Sequence, residues 1–505
     1  MALHADVLFL NGNLLTLEDA MPRAQALAVH RGRIAALGGN DDVKPLADER
    51  TRIVDLAGKT LLPGFVDAHT HLLRTGMERT LYVDLNATRS LDDVLQRVQA
   101  VASQREAGQW IVGRGWDESG WLAGRYPAKA DLDKLTRKHP VALIRVCGHI
   151  LSVNSEALER VPVKEDPSTV DRAQGWLREE SAWGFLDAIE PSLEQRVQAL
   201  EAGIAHAHAL GITSIHEIAD SAAIQAYGHL KRQGALTLRV RLNVRHQLLS
   251  HLIETGLQGE FGDDFLNIGA LKLFSDGSLG ARNAALLEPY ADDADNPGKL
   301  NHEQQDLIGW TRKGREGGFQ LMTHAIGDRA IEAVLEAYEA VGIAPQDRAR
   351  IEHLELPTEK QLERMARRGI IASMQPNFVQ WSGPGKLYEK RLGKAREARI
   401  DPHRLVLDAK VPLAFSSDSM PVGPLYGMQL AVNAVHPSQR VTVQEAVRAY
   451  TLGGAYAGFA EEQMGSLKVG KWADFVALNR DPLQASTQLD QLKVEQTYLA
   501  AGRVY

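Results

Sequence analysis

The stretch Pro63-Gly64-Phe65-Val66-Asp67-Ala68-His69-Thr70-His71 decides how the chain is read. It is a short apolar run that ends in polar residues, with two imidazoles spaced i and i+2. On a strand, that spacing puts both rings on one face, where they can grip one metal ion. His206-Ala207-His208 has the same spacing but lies in the helical run Glu201–Leu210. There i and i+2 point in nearly opposite directions, so these two read as packing or solvated histidines.

Seven further runs share the form of Phe65–His71. They are Ile212–Glu217, Leu238–Val244, Ile268–Ser275, Phe319–His324, Arg350–Glu355, Ile370–Gln375 and Pro412–Asp418. Helical stretches such as Leu193–Leu210, Asp328–Val341 and Thr442–Tyr450 alternate with them. Eight parallel βα units predict an α/β fold, a closed (β/α)8 TIM barrel over 63–463 with its chemistry at the strand C-termini. An insertion at about 80–190 contains Val141–Val146 as an extra strand and is expected to pack over the barrel mouth. The chain ends read as short strands and turns. Val7–Leu10 and Leu14–Leu17 flank Asn11-Gly12-Asn13 as one hairpin, and Ala26–His30 and Arg33–Leu37 flank Arg31-Gly32 as another. Residues 1–62 and 464–505 are expected to pair into one small β-sandwich domain.

Composition sets outer limits. The 505 residues carry 57 Lys and Arg against 64 Asp and Glu, a net charge of −7. That balance argues against a nucleic-acid-binding surface spread over the whole protein. A hydrophobic content of 44% and a charged content of 24% exclude disorder as the main state. The single cysteine, Cys147, excludes an intramolecular disulfide and reads as a small buried apolar residue. The N-terminus lacks a basic n-region, and no run approaches the ~20 apolar residues of a membrane helix. The expectation is a cytoplasmic protein with a small-molecule substrate and no nucleic-acid or membrane partner; a homo-oligomer is left open.

The other strand ends carry the chemistry. His324 closes the fifth, His353 lies at the end of the sixth and Asp418 closes the eighth. Alone, each histidine would read as a hydrogen-bonded core residue, and Asp418 as a helix N-cap. Together at one rim they read as metal ligands. Lys272 sits in the fourth strand, in Leu271-Lys272-Leu273-Phe274-Ser275-Asp276-Gly277. An ammonium has no lone pair, and beside a metal its pKa must fall. The neutral amine can then take up CO2 and become a carbamate, an anionic oxygen ligand able to bridge two ions. The competing reading pairs Lys272 with Asp276 or Glu217.

These residues, in this order, make the chain resemble the amidohydrolase superfamily, in the branch that includes N-substituted formamide deformylase. The resemblance spans nearly the whole length. It runs through the Pro63–His71 motif, Lys272 with Asp276-Gly277-Ser278-Leu279-Gly280, and His324-Ala325-Ile326-Gly327-Asp328. It continues in Ile351-Glu352-His353, Ser417-Asp418 and Gly470-Lys471-Trp472-Ala473-Asp474-Phe475. The resemblance implies two divalent metal ions, zinc first, with manganese or iron as alternatives. His69 and His71 would bind one ion and His324 and His353 the other. Carbamylated Lys272 would bridge them, and Asp418 would be both ligand and proton shuttle. His149, in Gly148-His149, would donate a hydrogen bond to the substrate carbonyl, or else order its loop. Trp116, Glu217 and Asn283 are candidates for substrate binding. Asn283 stands where relatives often carry Thr, and Leu354-Glu355 where they often carry a small residue and Gln. Both departures concern the pocket wall. The implied activity is metal-dependent hydrolysis of a non-peptide carbon–nitrogen bond. A cyclic amide, carbamate or ester is the alternative, and a non-catalytic binding relative the alternative of another class.

Overall fold

In the computed structural model, which describes residues 4–122, 124–146, 148–164, 166–484 and 488–505, the eight predicted runs form one parallel sheet. Its strands are β1 (Phe65–Thr70), β2 (Ile212–Ala219), β3 (Arg239–Arg245), β4 (Leu266–Phe274), β5 (Gln320–Ala325), β6 (Arg350–His353), β7 (Ile371–Met374) and β8 (Leu413–Phe415). Neighbours in sequence are neighbours in the sheet from β1 through β8. The circuit is completed beyond the strand ends, where the Asp418 N–H donates to the His69 carbonyl at 2.9 Å. The Ser417 N–H and Oγ both donate to the Asp67 carboxylate, at 2.9 and 2.5 Å. This is a TIM-like barrel. Cys147 lies outside the described residues.

Period-2 alternation sorts each strand into an inner and an outer face. In β4, a Cβ placed on Gly314 of helix Gln304–Glu316 would lie 2.4 Å from Leu271 Cδ2. Leu271 therefore faces the outer helix layer. Lys272 points the opposite way, on the face of Ala270, which clusters with Ile218, Met322 and Phe274.

The chain folds as two compact units, 1–72 with 204–505, and 73–203. The first contains the barrel and two further sheets. One sheet orders Arg33–Gly38, Ala26–His30, Val7–Leu10 and Arg52–Asp55; the other contains Gly502–Arg503, Val494–Leu499, Phe475–Leu478, Thr60–Pro63, Asn13–Leu15 and Arg23–Ala24. Val7, Phe9 and Leu27 from one sheet share an apolar cluster with Leu61, Phe475 and Tyr498 from the other. The second unit has a six-stranded sheet running from Tyr82–Asp84 through Ile111–Trp116 and Val141–Arg145 to Val170–Asp171. Apolar clusters around Leu143 and around Ile144 cover its two faces.

One predicted hairpin does not form. Val7–Leu10 and Asn13–Leu15 belong to different sheets. Asn11, at φ 58°, turns the chain out of the first sheet. Gly12 lets it pass Leu56, whose Cδ1 lies 2.4 Å from where a Cβ would be. The Arg31-Gly32 hairpin does form, with φ 50° and 71° at the two turn residues, the left-handed pair that a two-residue hairpin turn requires.

The Gly470–Phe475 motif joins the terminal sheets to the barrel through a buried ion pair. Asp474 grips Arg239 of β3 in a fork, with Nε donating at 2.5 Å and Nη2 at 3.1 Å. The guanidinium lies over Trp472 at 4.3 Å, and Arg33 lies over the same ring at 3.8 Å. Removing one partner of a buried pair leaves an uncompensated charge, at a cost of about 3–5 kcal/mol. Asp474→Ala is therefore expected to lower the thermal unfolding midpoint clearly below wild type. An unchanged midpoint would show that the fork contributes nothing to stability.

Candidate metal centre

β1 delivers the two histidines to the rim. His69 is buried, and its Nδ1–H donates to Glu352 Oε2 at 2.7 Å. An ionised carboxylate can only accept, so the proton sits on Nδ1 and Nε2 keeps its lone pair. Glu352 is itself held by Arg350, which donates from Nε at 2.8 Å and Nη2 at 3.2 Å. Arg350 also reaches the Ala68 carbonyl at 2.6 Å and Ser373 Oγ at 3.0 Å. Burial pushes the Glu352 carboxyl up, but the Arg350 guanidinium and the His69 hydrogen bond outweigh it and hold the carboxyl below its usual range. A carboxylate behind a histidine fixes the ring and raises its basicity as a ligand.

Asp418 comes from the turn after β8. Ser417–Met420 closes with Met420 N–H donating to the Ser417 carbonyl at 3.1 Å, and Asp418 and Ser419 take φ 49° and 58°. This left-handed pair swings the carboxylate to 3.1 Å from His71 Nε2 and 3.6 Å from His69 Nε2. Ligand atoms of His69, His71 and Asp418 lie within 4.8 Å of one another, a trio that could hold a metal ion. Burial raises the Asp418 carboxyl, yet the His71 hydrogen bond and the neighbouring imidazoles hold it well below the ordinary carboxylate range. It is ionised at neutral pH.

His353 and His324 continue the row of rings. The His353 ring lies 5.1 Å from His69 and 4.3 Å from His324, centroid to centroid. His353 reaches this position through a tight turn. Its φ is 72°, and the Leu354 N–H folds back to the Glu352 carbonyl at 3.0 Å. A left-handed histidine in such a turn is strained, and strain of this kind collects at functional sites. His353 Nδ1 is buried with no hydrogen-bond partner among the described residues. His324 Nε2–H donates to the Gly277 carbonyl at 2.9 Å, which leaves the Nδ1 lone pair for a ligand.

Lys272 is fully buried; its Nζ lies 4.7 Å over the Phe274 ring and has no hydrogen-bond partner among the described residues. Burial pulls its pKa down to about 8, against the opposing pull of Glu352 and Asp418. Its charge in turn depresses His69 and His353, whose titration burial already lowers. The competing partners are engaged elsewhere. Asp276 accepts the backbone N–H groups of Ala285, Ile326 and Gly327 at 2.9–3.1 Å. Glu217 accepts Thr70 Oγ1 at 2.8 Å and the Leu72 N–H at 2.7 Å, which anchors the chain on both sides of His71. A buried amine and an imidazole nitrogen, each without a hydrogen-bond partner among the described residues, and the trio around Asp418 form a donor set that suits a divalent metal.

Asn283 orders a loop, its Oδ1 accepting the Ser278 N–H at 2.7 Å. Trp116 and His149 lie in the second unit. Trp116 is fully buried, with its ring 5.3 Å from Tyr126. His149 pairs through Nδ1 with Glu179 at 2.8 Å and packs against Trp183. Sequence reasoning missed Arg350 and Glu352. The available signal was two opposite charges at i and i+2 in a strand expected to be buried.

Residues 52–505 match the amidohydrolase family. The chain is 31% identical to YtcJ of Bacillus subtilis (strain 168) over 98% of each. It is 26% identical to the N-substituted formamide deformylase of Arthrobacter pascens, over 98% of this chain and 97% of that one. An uncharacterized metal-dependent hydrolase from Pyrococcus furiosus, solved by crystallography, superposes with a TM-score of 0.83 at 30% identity, covering 94% of this chain and 99% of that one.

Replacing Glu352 by Gln keeps its shape but removes the charge behind His69. Glu352→Gln is expected to lower the thermal unfolding midpoint, because buried Arg350 loses its counter-charge, and, at a temperature where circular dichroism shows the variant folded, to weaken zinc binding about 10–100-fold, measured by chelator competition. Wild-type affinity would show that His69 is oriented by something else.

Proposed function

Because the chain belongs to the amidohydrolase family, we propose that it is a metal-dependent hydrolase of an amide or N-acyl carbon–nitrogen bond other than a peptide bond. The observation that carries this reading is the convergence of His69, His71 and Asp418 beside the His324–His353 pair, with the fully buried Lys272 on the inner face of β4. In this reading His69 and His71 hold one divalent ion and His324 and His353 a second. Lys272, as its carbamate, and Asp418 complete the set, and imidazole with carboxylate donors suits zinc. When bound, the metal supplies a water of lowered pKa and polarises the substrate carbonyl.

The protein's own groups handle the proton. Asp418, ionised and acceptor-only, takes the proton of the attacking water and hands it to the leaving nitrogen. Its turn is fixed by the Ser417–Asp67 and Asp418–His69 hydrogen bonds, so the carboxylate is placed before substrate arrives. The Arg350–Glu352–His69 chain keeps the His69 lone pair turned towards Asp418. The choice of an exocyclic amide rests on the likeness to the formamide deformylase. A panel of formamides, N-acyl amino acids and lactones, assayed with added zinc or manganese, separates it from a cyclic amide or ester.

Asp418→Asn is expected to keep metal near the wild-type level and to lose about 10²–10⁴-fold in kcat on whichever substrate the panel identifies. Wild-type turnover in this variant would refute the proton-transfer role.

Carbamylation makes a separate prediction. CO2 reacts with the neutral amine, which gives up one proton as the C–N bond forms. At a pKa of about 8, roughly one Lys272 in ten is neutral at pH 7, against roughly one in 3,000 for an ordinary lysine. Zinc reconstitution of the metal-free protein at fixed dissolved CO2 should therefore quicken from pH 6 to 8 and level off above. CO2-depleted buffer should slow it. A rate indifferent to CO2 would count against the carbamate.

A further inference from the structure

Strand β3 reads Arg239-Val240-Arg241-Leu242-Asn243-Val244-Arg245. Its three arginines meet different fates. Arg239 is forked by Asp474, and Arg241 donates to Glu260 at 2.6 Å and to Gln320 at 3.4 Å. Arg245 stands at the C-terminal end of the strand, where a barrel of this type places its chemistry. It enters no hydrogen bond or ion pair among the described residues. We infer that Arg245 binds a carboxylate carried by the substrate, so that the substrate class is an amide bearing a carboxylate, as in an N-acyl amino acid. The inference rests on the hydrolase reading above and names the substrate of that same site.

Register fixes where Arg245 lies. It pairs with Lys272 across β3 and β4, and paired residues of neighbouring strands share a face. Lys272 is on the inner face of β4, so Arg245 is on the inner face of β3. Electrostatics agree: burial lowers the Lys272 pKa most, and the Arg350 and Arg245 charges lower it further. His246, the next residue, takes the opposite direction, with its ring 5.1 Å from Trp310 of the outer helix Gln304–Glu316.

The far end of the guanidinium is the open part. Arg245 is partly buried, and its Nε is shut off from solvent without a partner. That leaves the Nη1–Nη2 edge, whose two N–H groups match the two oxygens of a carboxylate. The nearby acids are committed elsewhere. Asp220, the residue after the last β2 position in register with β3, accepts the Ala223 N–H at 2.9 Å as a helix N-cap. Glu217 accepts from Thr70 and Leu72. The candidate metal ligands come from β1, β4, β5, β6 and the turn after β8, which leaves the β2–β3 side of the rim for the rest of the substrate. On β2 that side ends in apolar Ile218, in register with Asn243 of β3. A partly desolvated cation without a counter-charge is costly to hold, and a substrate carboxylate removes that cost on binding.

Two acids and their neutral amides are the probes. N-acetylglycine against N-acetylglycinamide puts the carboxylate on the amine side, and N-methylsuccinamate against N-methylsuccinamide puts it on the acyl side. Each is titrated by calorimetry into the zinc-loaded Asp418→Asn enzyme, whose turnover is suppressed. At least one acid should bind about 10–100-fold more tightly than its amide, the gain of a charge-assisted fork. The pair that shows this identifies the side. Adding Arg245→Gln should bring the ratio close to one with zinc still bound. Arg245→Lys, which keeps the charge and loses the fork, should leave an intermediate ratio and serves should Arg245→Gln not fold. A preference that survives Arg245→Gln would put the carboxylate on the metal and overturn the inference. Turnover of the amides by wild type with no preference for either acid would overturn it too, and leave the hydrolase reading standing. Acid binding that depends on Arg245, with none of the four compounds turned over by wild type, would uphold the carboxylate site and count against that reading.

Discussion

Two fully buried charges, Arg350 and Glu352, stand two residues apart on β6 and pair within the barrel interior. The interior of a barrel of this type is usually filled with branched aliphatic side chains. Here it also contains Lys272, Arg239 and Arg241. Buried charge is tolerated only where it is paired and hydrogen-bonded. The pairing of Arg350 with Glu352 therefore fixes more than its own strand. It presents a carboxylate to His69, tethers the Ala68 carbonyl of β1, and sets the His216 tautomer. Three strands are oriented by one guanidinium.

The rim is built on this base by backbone conformations that side-chain packing alone would not choose. His353 and Asp418 both take positive φ values. The His353 ring then lies 5.1 Å from that of His69, and the Asp418 carboxylate 3.1 Å from His71 Nε2. In both cases the strained residue is tied to a neighbouring strand: Leu354 N–H to the Ala325 carbonyl, and Asp418 N–H to the His69 carbonyl. The strain is over-determined by the surrounding ladder, the condition under which such conformations persist.

Much of this was legible in the sequence. A period of two puts His69 and His71 on one face, and apolar runs ending in polar residues mark all eight strands. The Gly470–Phe475 motif contributes to the family resemblance, but nothing local says that Asp474 meets Arg239, 235 residues away. The Glu352–His69 contact spans 283 positions and was illegible for the same reason. Register across a barrel depends on the tilt of every intervening strand, and one sequence does not state it. The Asn11-Gly12-Asn13 turn misled because its residue types suit both a hairpin and a crossing between sheets; only the partners of Val7–Leu10 and Asn13–Leu15 distinguish them.

The central claim is spatial: donors from β1, β4, β5, β6 and the turn after β8 surround one metal centre. Anomalous diffraction from zinc-loaded crystals at the zinc edge tests it most directly. The account predicts one peak bounded by His69, His71 and Asp418 and a second beside His324 and His353, with added density on Lys272 Nζ. A peak away from these residues, or a bare Lys272 Nζ remote from both ions, would contradict it.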